Sequence, residues 1–197
     1  MSANDSAKSI VEITIGFKKI GGNMDILNQI IKQNRLTDFE PVKLVNSVNV
    51  GPKMIDVSKN FLIMEYIEGK KFSDWIEMLK GSGSAKQLKS TIRNVLEDCY
   101  RLDQIGFDHG ELSNISKHVI VGKNKVALID FESSSTKRRP SNVTSITQAF
   151  FIGSGIAKHA QKIYKNSSKE KIIFALKSYK QEKTRDNFEK LLKILKL

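Results

Sequence analysis

Between Ala85 and Ile105, the residues Leu88, Ile92, Val95, Leu96, Cys99, Leu102 and Ile105 recur at spacings of three and four, and Gly106 follows at once. That periodicity places all seven on one stripe of a single long helix, which must be buried against other elements. Gly106 suits the left-handed turn that stops such a helix. The chain is thereby committed to a helical layer packed around this segment. Cys99, the one cysteine, lies on the stripe and reads as a buried, inert thiol. Alone, it excludes an internal disulfide and a cysteine metal cluster.

Upstream, the patterning changes. Val11, Ile13, Ile15 and Phe17 alternate, so Val11–Lys18 reads as a strand, broken by Gly21 and Gly22. Met24–Gln33 has helical spacing, and a second short helix is expected from about Phe39 to Val48. Gly51-Pro52 precedes a strand near Lys53–Val57, and FLIMEY (Phe61–Tyr66) reads as a buried strand. A short helix over Phe72–Leu79 follows. After Gly106, strands Val119–Val121 and Val126–Ile129 flank a turn, and helices are expected near 143–164, 169–179 and 184–196. The order predicts an α+β fold: residues 1–67 form a small sheet-containing N-lobe with an inter-lobe linker, and residues 68–197 a larger helical C-lobe.

The formal net charge is +12, and residues 157–197 hold twelve Lys/Arg against four Asp/Glu. Such a tail could meet RNA, a ribosome or an acidic protein, or could be a solvated helical face with few aromatic residues to stack bases. No run approaches the ~18 apolar residues of a membrane helix. The first twenty residues lack a signal peptide's basic start and apolar core, so a cytoplasmic location is expected.

The chemistry concentrates in DHGELSNISKHVIVGKNKVALIDFE, residues 108–132. A His-x-acid loop leaves the long helix, a hairpin follows, and Asp130-Phe131 ends its second strand. This order resembles the catalytic and metal-binding loops of protein kinases, written there as H-R-D and D-F-G. The wider set DHGEL, KHVIV, LIDFESS and RRPSNVTS, with VGPK and NFLIMEYIEG upstream, resembles the small archaeal predicted serine/threonine protein kinases. These are distant relatives of the RIO-type and tRNA-modification-associated kinases. The likeness covers roughly residues 10–165.

The resemblance implies a kinase-like fold that binds ATP and Mg²⁺ between two lobes and transfers the γ-phosphoryl group to a serine or threonine hydroxyl, of another protein or of itself. Glu111, where most kinases have Asp, would orient the hydroxyl. His109 would organise the loop, and Asp130 would hold Mg²⁺. The loop asparagine that binds a second ion has no single match: Ser116 by counting, His118 by aligning on the strand, or Asn114. Lys18, expected on one strand face with Gly16, would engage the phosphates and pair with Glu40. Met64 would back the adenine pocket, with backbone groups of Glu65 and Ile67 bonding the base. Lys137, Arg138 and Arg139 could meet a peptide or a phosphate.

Two departures favour an alternative, a pseudokinase that binds nucleotide or partner with little turnover. No G-x-G-x-x-G occurs in the chain, so the phosphate-clamping loop is missing and the N-lobe reduced. Glu132 also stands in place of the D-F-G glycine.

Overall fold

A computed structural model describes residues 11–15, 18–22, 40–58, 61–153 and 155–197. Its first sheet is antiparallel, in the order β2-β1-β4-β3, from β1 (Val11–Ile15), β2 (Lys18–Gly22), β3 (Met54–Ser58) and β4 (Phe61–Met64). The single strand expected over Val11–Lys18 is therefore corrected to two strands, paired with Ile15 opposite Lys18. Lys18 opens β2, and Gly21 and Gly22 lie within it instead of breaking a strand. The alternation of Val11, Ile13 and Ile15 runs on to Phe17, past the end of β1, so the pattern alone does not mark where the strand stops. The helix expected over Met24–Gln33 lies outside the described residues.

Helix α1 (Glu40–Ser47) is tied to β3 by one side chain. Asn46 accepts from the Met54 N–H at 2.6 Å and donates to the carbonyls of Val50 (3.1 Å) and Pro52 (2.9 Å). Gly51 has φ +76°, and a Cβ there would come within 2.9 Å of the Phe131 ring. Only a glycine lets the backbone lie this close to the ring in a left-handed turn. The α1–β3 loop thus rests on the residue that follows Asp130.

The helical part begins with β5 (Gly69–Lys71), α2 (Phe72–Met78) and α3 (Ser84–Gln104). As its stripe requires, α3 is the centre of the core: Leu88, Ile92, Val95, Leu96, Cys99 and Leu102 are fully buried. After it come α4 (Ile115–His118), β6 (Val119–Gly122) and β7 (Val126–Leu128), with β5-β6-β7 forming a second antiparallel sheet. Neither β5 nor α4 was legible in the sequence, since three or four residues are too few to show a period. The helix expected over 143–164 is two helices, α5 (Asn142–Phe151) and α6 (Gly155–Ile163). Glycine costs about 1 kcal/mol inside a helix, and Gly153 and Gly155 flank the break. The chain closes with α7 (Lys169–Gln181) and α8 (Arg185–Leu195), which return Phe188 to stack on Tyr100 of α3 at 4.6 Å. Among the described residues no helix is long and apolar enough to cross a membrane.

Two acids on α3, Asp98 and Asp103, face inward. Burial pushes the Asp98 carboxyl up to about 6, against the opposing pull of Arg101. A carboxyl raised in the folded state contributes stability that is full below the usual value of 3.8 and is lost as pH rises through about 6. Wild type is expected to lose on the order of 3 kcal/mol from this group between those limits. Urea unfolding of wild type and Asp98→Asn across the window checks it: the difference between the two curves should slope there and be flat above it.

Candidate active site

The loop that leaves α3 is held by a buried polar network. Asp103, near the end of α3, accepts from Asn142 through its N–H (3.0 Å) and its side-chain amide (2.8 Å), from the Tyr179 hydroxyl (2.9 Å) and from the Val143 N–H (3.4 Å). Burial raises the Asp103 carboxyl, and the bonds from Tyr179 and Asn142 oppose that shift. Asn142 also donates to the Phe107 carbonyl at 2.6 Å and accepts from the His109 N–H at 2.8 Å. One side chain at the start of α5 thereby fixes the end of α3 and the backbone of the His-x-acid loop together.

Two contacts then join that loop to the loop after β7. His109, fully buried, places its Nε2 3.1 Å from the Ile129 carbonyl, and burial lowers its pKa from the ordinary histidine value. Asp108 and Ser135 exchange both backbone bonds, at 2.9 and 2.8 Å. Between these ties lies Gly110, φ +89°, where a Cβ would sit 2.5 Å from the Ser133 carbonyl and 2.7 Å from the Arg138 guanidinium. A side chain there would force the loops apart.

Arg138 occupies this crowded space because it serves the scaffold. Its Nε donates to Asp108 at 3.0 Å and its Nη2 to the Ser133 carbonyl at 2.5 Å. Arg139 donates to the Lys180 carbonyl. Two of the three cations in the basic run expected to meet a peptide or phosphate thus also make bonds within the chain while staying exposed, which periodicity could not foretell.

Three candidate site side chains, Glu111, His118 and Asp130, converge beside this frame. The Ser133 hydroxyl donates to Glu111 Oε1 at 2.7 Å, and this bond holds the Glu111 carboxyl below its usual value. Glu111 Oε2 lies 3.1 Å from Nε2 of His118, and Nδ1 of the same ring lies 3.6 Å from Asp130 Oδ2. His118, at the end of α4, is only 4% exposed and stands between two half-exposed carboxylates. Asp130 has φ +70°, a conformation that costs free energy and that Asp tolerates better than most residues. Glu111, His118 and Asp130 offer ligand atoms within 4.8 Å of one another. The buried Nδ1 of His118 has no hydrogen-bond partner, and it faces an acid. That donor set fits a divalent cation.

The other expected residues fall elsewhere. Ser116 and Asn114 line a cavity of about 410 Å³ with Ser73, Glu77 and His159, whereas His118 is the alternative whose ring stands beside Glu111 and Asp130. Met64 is half-buried and ends β4, so the strand expected to reach Tyr66 stops two residues earlier. Glu65 donates its N–H to the Lys53 carbonyl at 2.8 Å, and its carboxylate accepts from the Lys53 N–H (3.1 Å) and from Lys125 (2.6 Å). This links the segment after β4 to the β6–β7 turn. Ile67 is half-buried in the same segment. The side chains of Lys18 and Glu40, and with them the expected pair, lie outside the described residues. Sequence reasoning missed Asn142 and Ser133 as site-organising residues. An asparagine opening a helix and a serine after an Asp-Phe carry no signal until the loops are seen together.

A helical core carrying two acid-bearing loops beside a hairpin, with a small antiparallel sheet before it, defines a protein-kinase-like domain. The RIO domain profile matches residues 17–148, two-thirds of the chain, and the chain belongs to the RIO domain family. RIO domains are atypical, kinase-like domains whose class chemistry is ATP-dependent phosphoryl transfer. The chain is also similar to the uncharacterized protein MJ1211 of Methanocaldococcus jannaschii, 25% identical over 95 residues, which are 48% of this chain and 78% of that relative.

Removing Asn142 should loosen the whole site. Asn142→Ala leaves the His109 N–H, the Phe107 carbonyl and one face of Asp103 buried and unpaired, at an expected cost of about 3 kcal/mol. Chemical denaturation measures it; a loss under ~0.5 kcal/mol, the level of an ordinary surface change, would contradict the role given to this residue.

Proposed function

We propose that this chain transfers the γ-phosphoryl group of ATP to a serine or threonine hydroxyl, of a protein partner or of itself. The observation that carries the reading is the meeting of Glu111 and Asp130, 19 positions apart in sequence, at the two nitrogens of one buried imidazole inside a RIO domain. Asp130 and His118 are the residues that would hold the divalent cation. When bound, that cation would neutralise charge developing on the transferred phosphoryl group.

Everything else falls to the chain itself. Glu111 would orient the acceptor hydroxyl and take its proton. Its lowered pKa keeps it ionised at neutral pH, and the bonds from Ser133 and His118 fix its direction. His109 acts through the backbone as a positioning residue. Adenine would meet the segment after Met64. There the Glu65 N–H is already committed to Lys53, so its carbonyl would receive the exocyclic amino group and the Ile67 N–H would face the ring. Lys18 at the start of β2 is the proposed phosphate ligand, with Glu40 as its partner.

A second reading is favoured by the sequence itself. With no glycine-rich clamp and with Glu132 after Phe131, the cleft would bind nucleotide while positioning its γ-phosphate poorly. Transfer of radiolabelled phosphate from ATP by purified protein decides between the readings. Asp130→Ala is expected to reduce transfer to background and Glu111→Gln to lower it by about 10²-fold. Wild-type signal equal to that of both variants would sink the enzyme reading. An ATP-dependent rise in melting temperature without transfer would establish the binding module in its place.

A further inference from the structure

The cation expected of a kinase-like cleft is Mg²⁺, which takes oxygen ligands in near-octahedral geometry. The centre built here is different, because its one buried donor is a nitrogen. Glu111 Oε2 lies 3.1 Å from His118 Nε2. An ionised carboxylate only accepts, so Nε2 is the nitrogen that donates here, and Nδ1 is the one left to offer a lone pair to a cation. That lone pair points toward Asp130 Oδ2 at 3.6 Å. The ring is 4% exposed, and Nδ1 has no hydrogen-bond partner. A buried lone pair and a half-exposed carboxylate oxygen facing each other are repulsive unless a positive centre lies between them, and a dication meets both. Two ligands each about 2.1 Å from one ion stand roughly 3–4 Å apart, and the observed separation falls inside that span.

Carboxylate, imidazole and cation site follow one another in the order in which a metal-bound histidine is oriented by an acid on its far nitrogen. We infer that His118 Nδ1 and the Asp130 carboxylate form a mixed nitrogen–oxygen centre, with Glu111 holding the imidazole from behind, that selects a first-row transition dication over Mg²⁺. Imidazole raises affinity for such ions, whereas Mg²⁺ gains little from a nitrogen ligand. The inference deepens the reading above by naming the metal of the same cleft, yet it rests on the ligand set and not on turnover.

The test uses the full chain, freed of metal and without nucleotide. Substoichiometric Mn²⁺ should broaden the imidazole signals of His118, and of His109 whose ring lies 5.5 Å away. His159, which lines the cavity with Ser116 and Asn114, should stay sharp. Isothermal titration with Mn²⁺ and with Mg²⁺ then gives an affinity ratio. In wild type that ratio should exceed the ratio in His118→Asn, which supplies an oxygen in place of nitrogen, by at least about tenfold. Should the buried substitution fail to fold, Glu111→Gln at the exposed acid is expected to weaken Mn²⁺ binding by about tenfold. A ratio unchanged by His118→Asn, an Mn²⁺ affinity unchanged by Glu111→Gln, or broadening of His159 before His118 overturns the inference. Phosphoryl transfer in Mg²⁺ alone alongside such a result would leave the proposed function standing. Selective Mn²⁺ binding with no transfer would do the reverse.

Discussion

Asn142 is the side chain on which the rest of the site depends. Four elements meet there: the end of α3 through Asp103, the His-x-acid loop through Phe107 and His109, the start of α5, and α7 through the shared Asp103–Tyr179 bond. Buried amide and carboxylate groups are costly to leave unpaired, so the network is satisfied only in one relative placement of these elements. The placement in turn sets the backbone of residues 107–111. Because His109 also bonds the Ile129 carbonyl and Asp108 pairs with Ser135, the second loop inherits the same constraint. The half-exposed acids are thus placed by loops whose anchoring side chains, Asn142, Asp103 and His109, are buried.

Such a foundation explains how an exposed constellation can be well directed. Glu111 and Asp130 are each nearly half-exposed, and carboxylates of that kind usually sample many rotamers. Here Ser133 and His118 fix the first, and a left-handed backbone fixes the second. Gly110 and Gly51 contribute by absence, since each lets backbone come where a side chain would block it. Arg138 fills the space that Gly110 opens and braces both loops through Asp108 and Ser133.

How much of this the sequence discloses depends on the range of the signal. The α3 stripe is a local period repeated over twenty residues, and it predicts both the helix and its burial. Glu111 and Asp130 are legible as a pair because the loop–hairpin–loop order between them is itself a local pattern. The strand over Val11–Lys18 goes wrong because the apolar alternation continues to Phe17, past the end of β1. Among Ser116, His118 and Asn114, counting along the chain favours Ser116 and aligning on the strand favours His118, for the choice turns on how the short helix α4 and its N-cap direct alternate side chains. Asn142, Ser133 and Arg138 matter only through partners about 5 to 40 positions away, and such partnerships leave no periodic trace. The basic run is the converse: conspicuous as charge, yet two of its members also make bonds within the chain.

The central claim is the proposed cation site, in which one buried histidine joins two loop carboxylates. It is tested most directly by anomalous diffraction at the manganese edge from crystals grown with Mn²⁺ and a non-hydrolysable ATP analogue. The account predicts a peak between His118 Nδ1 and Asp130, with the nucleotide phosphates approaching from the side of the small sheet. A peak elsewhere, or His118 bonded directly to Asp130 with the ion bound by phosphate alone, would contradict it.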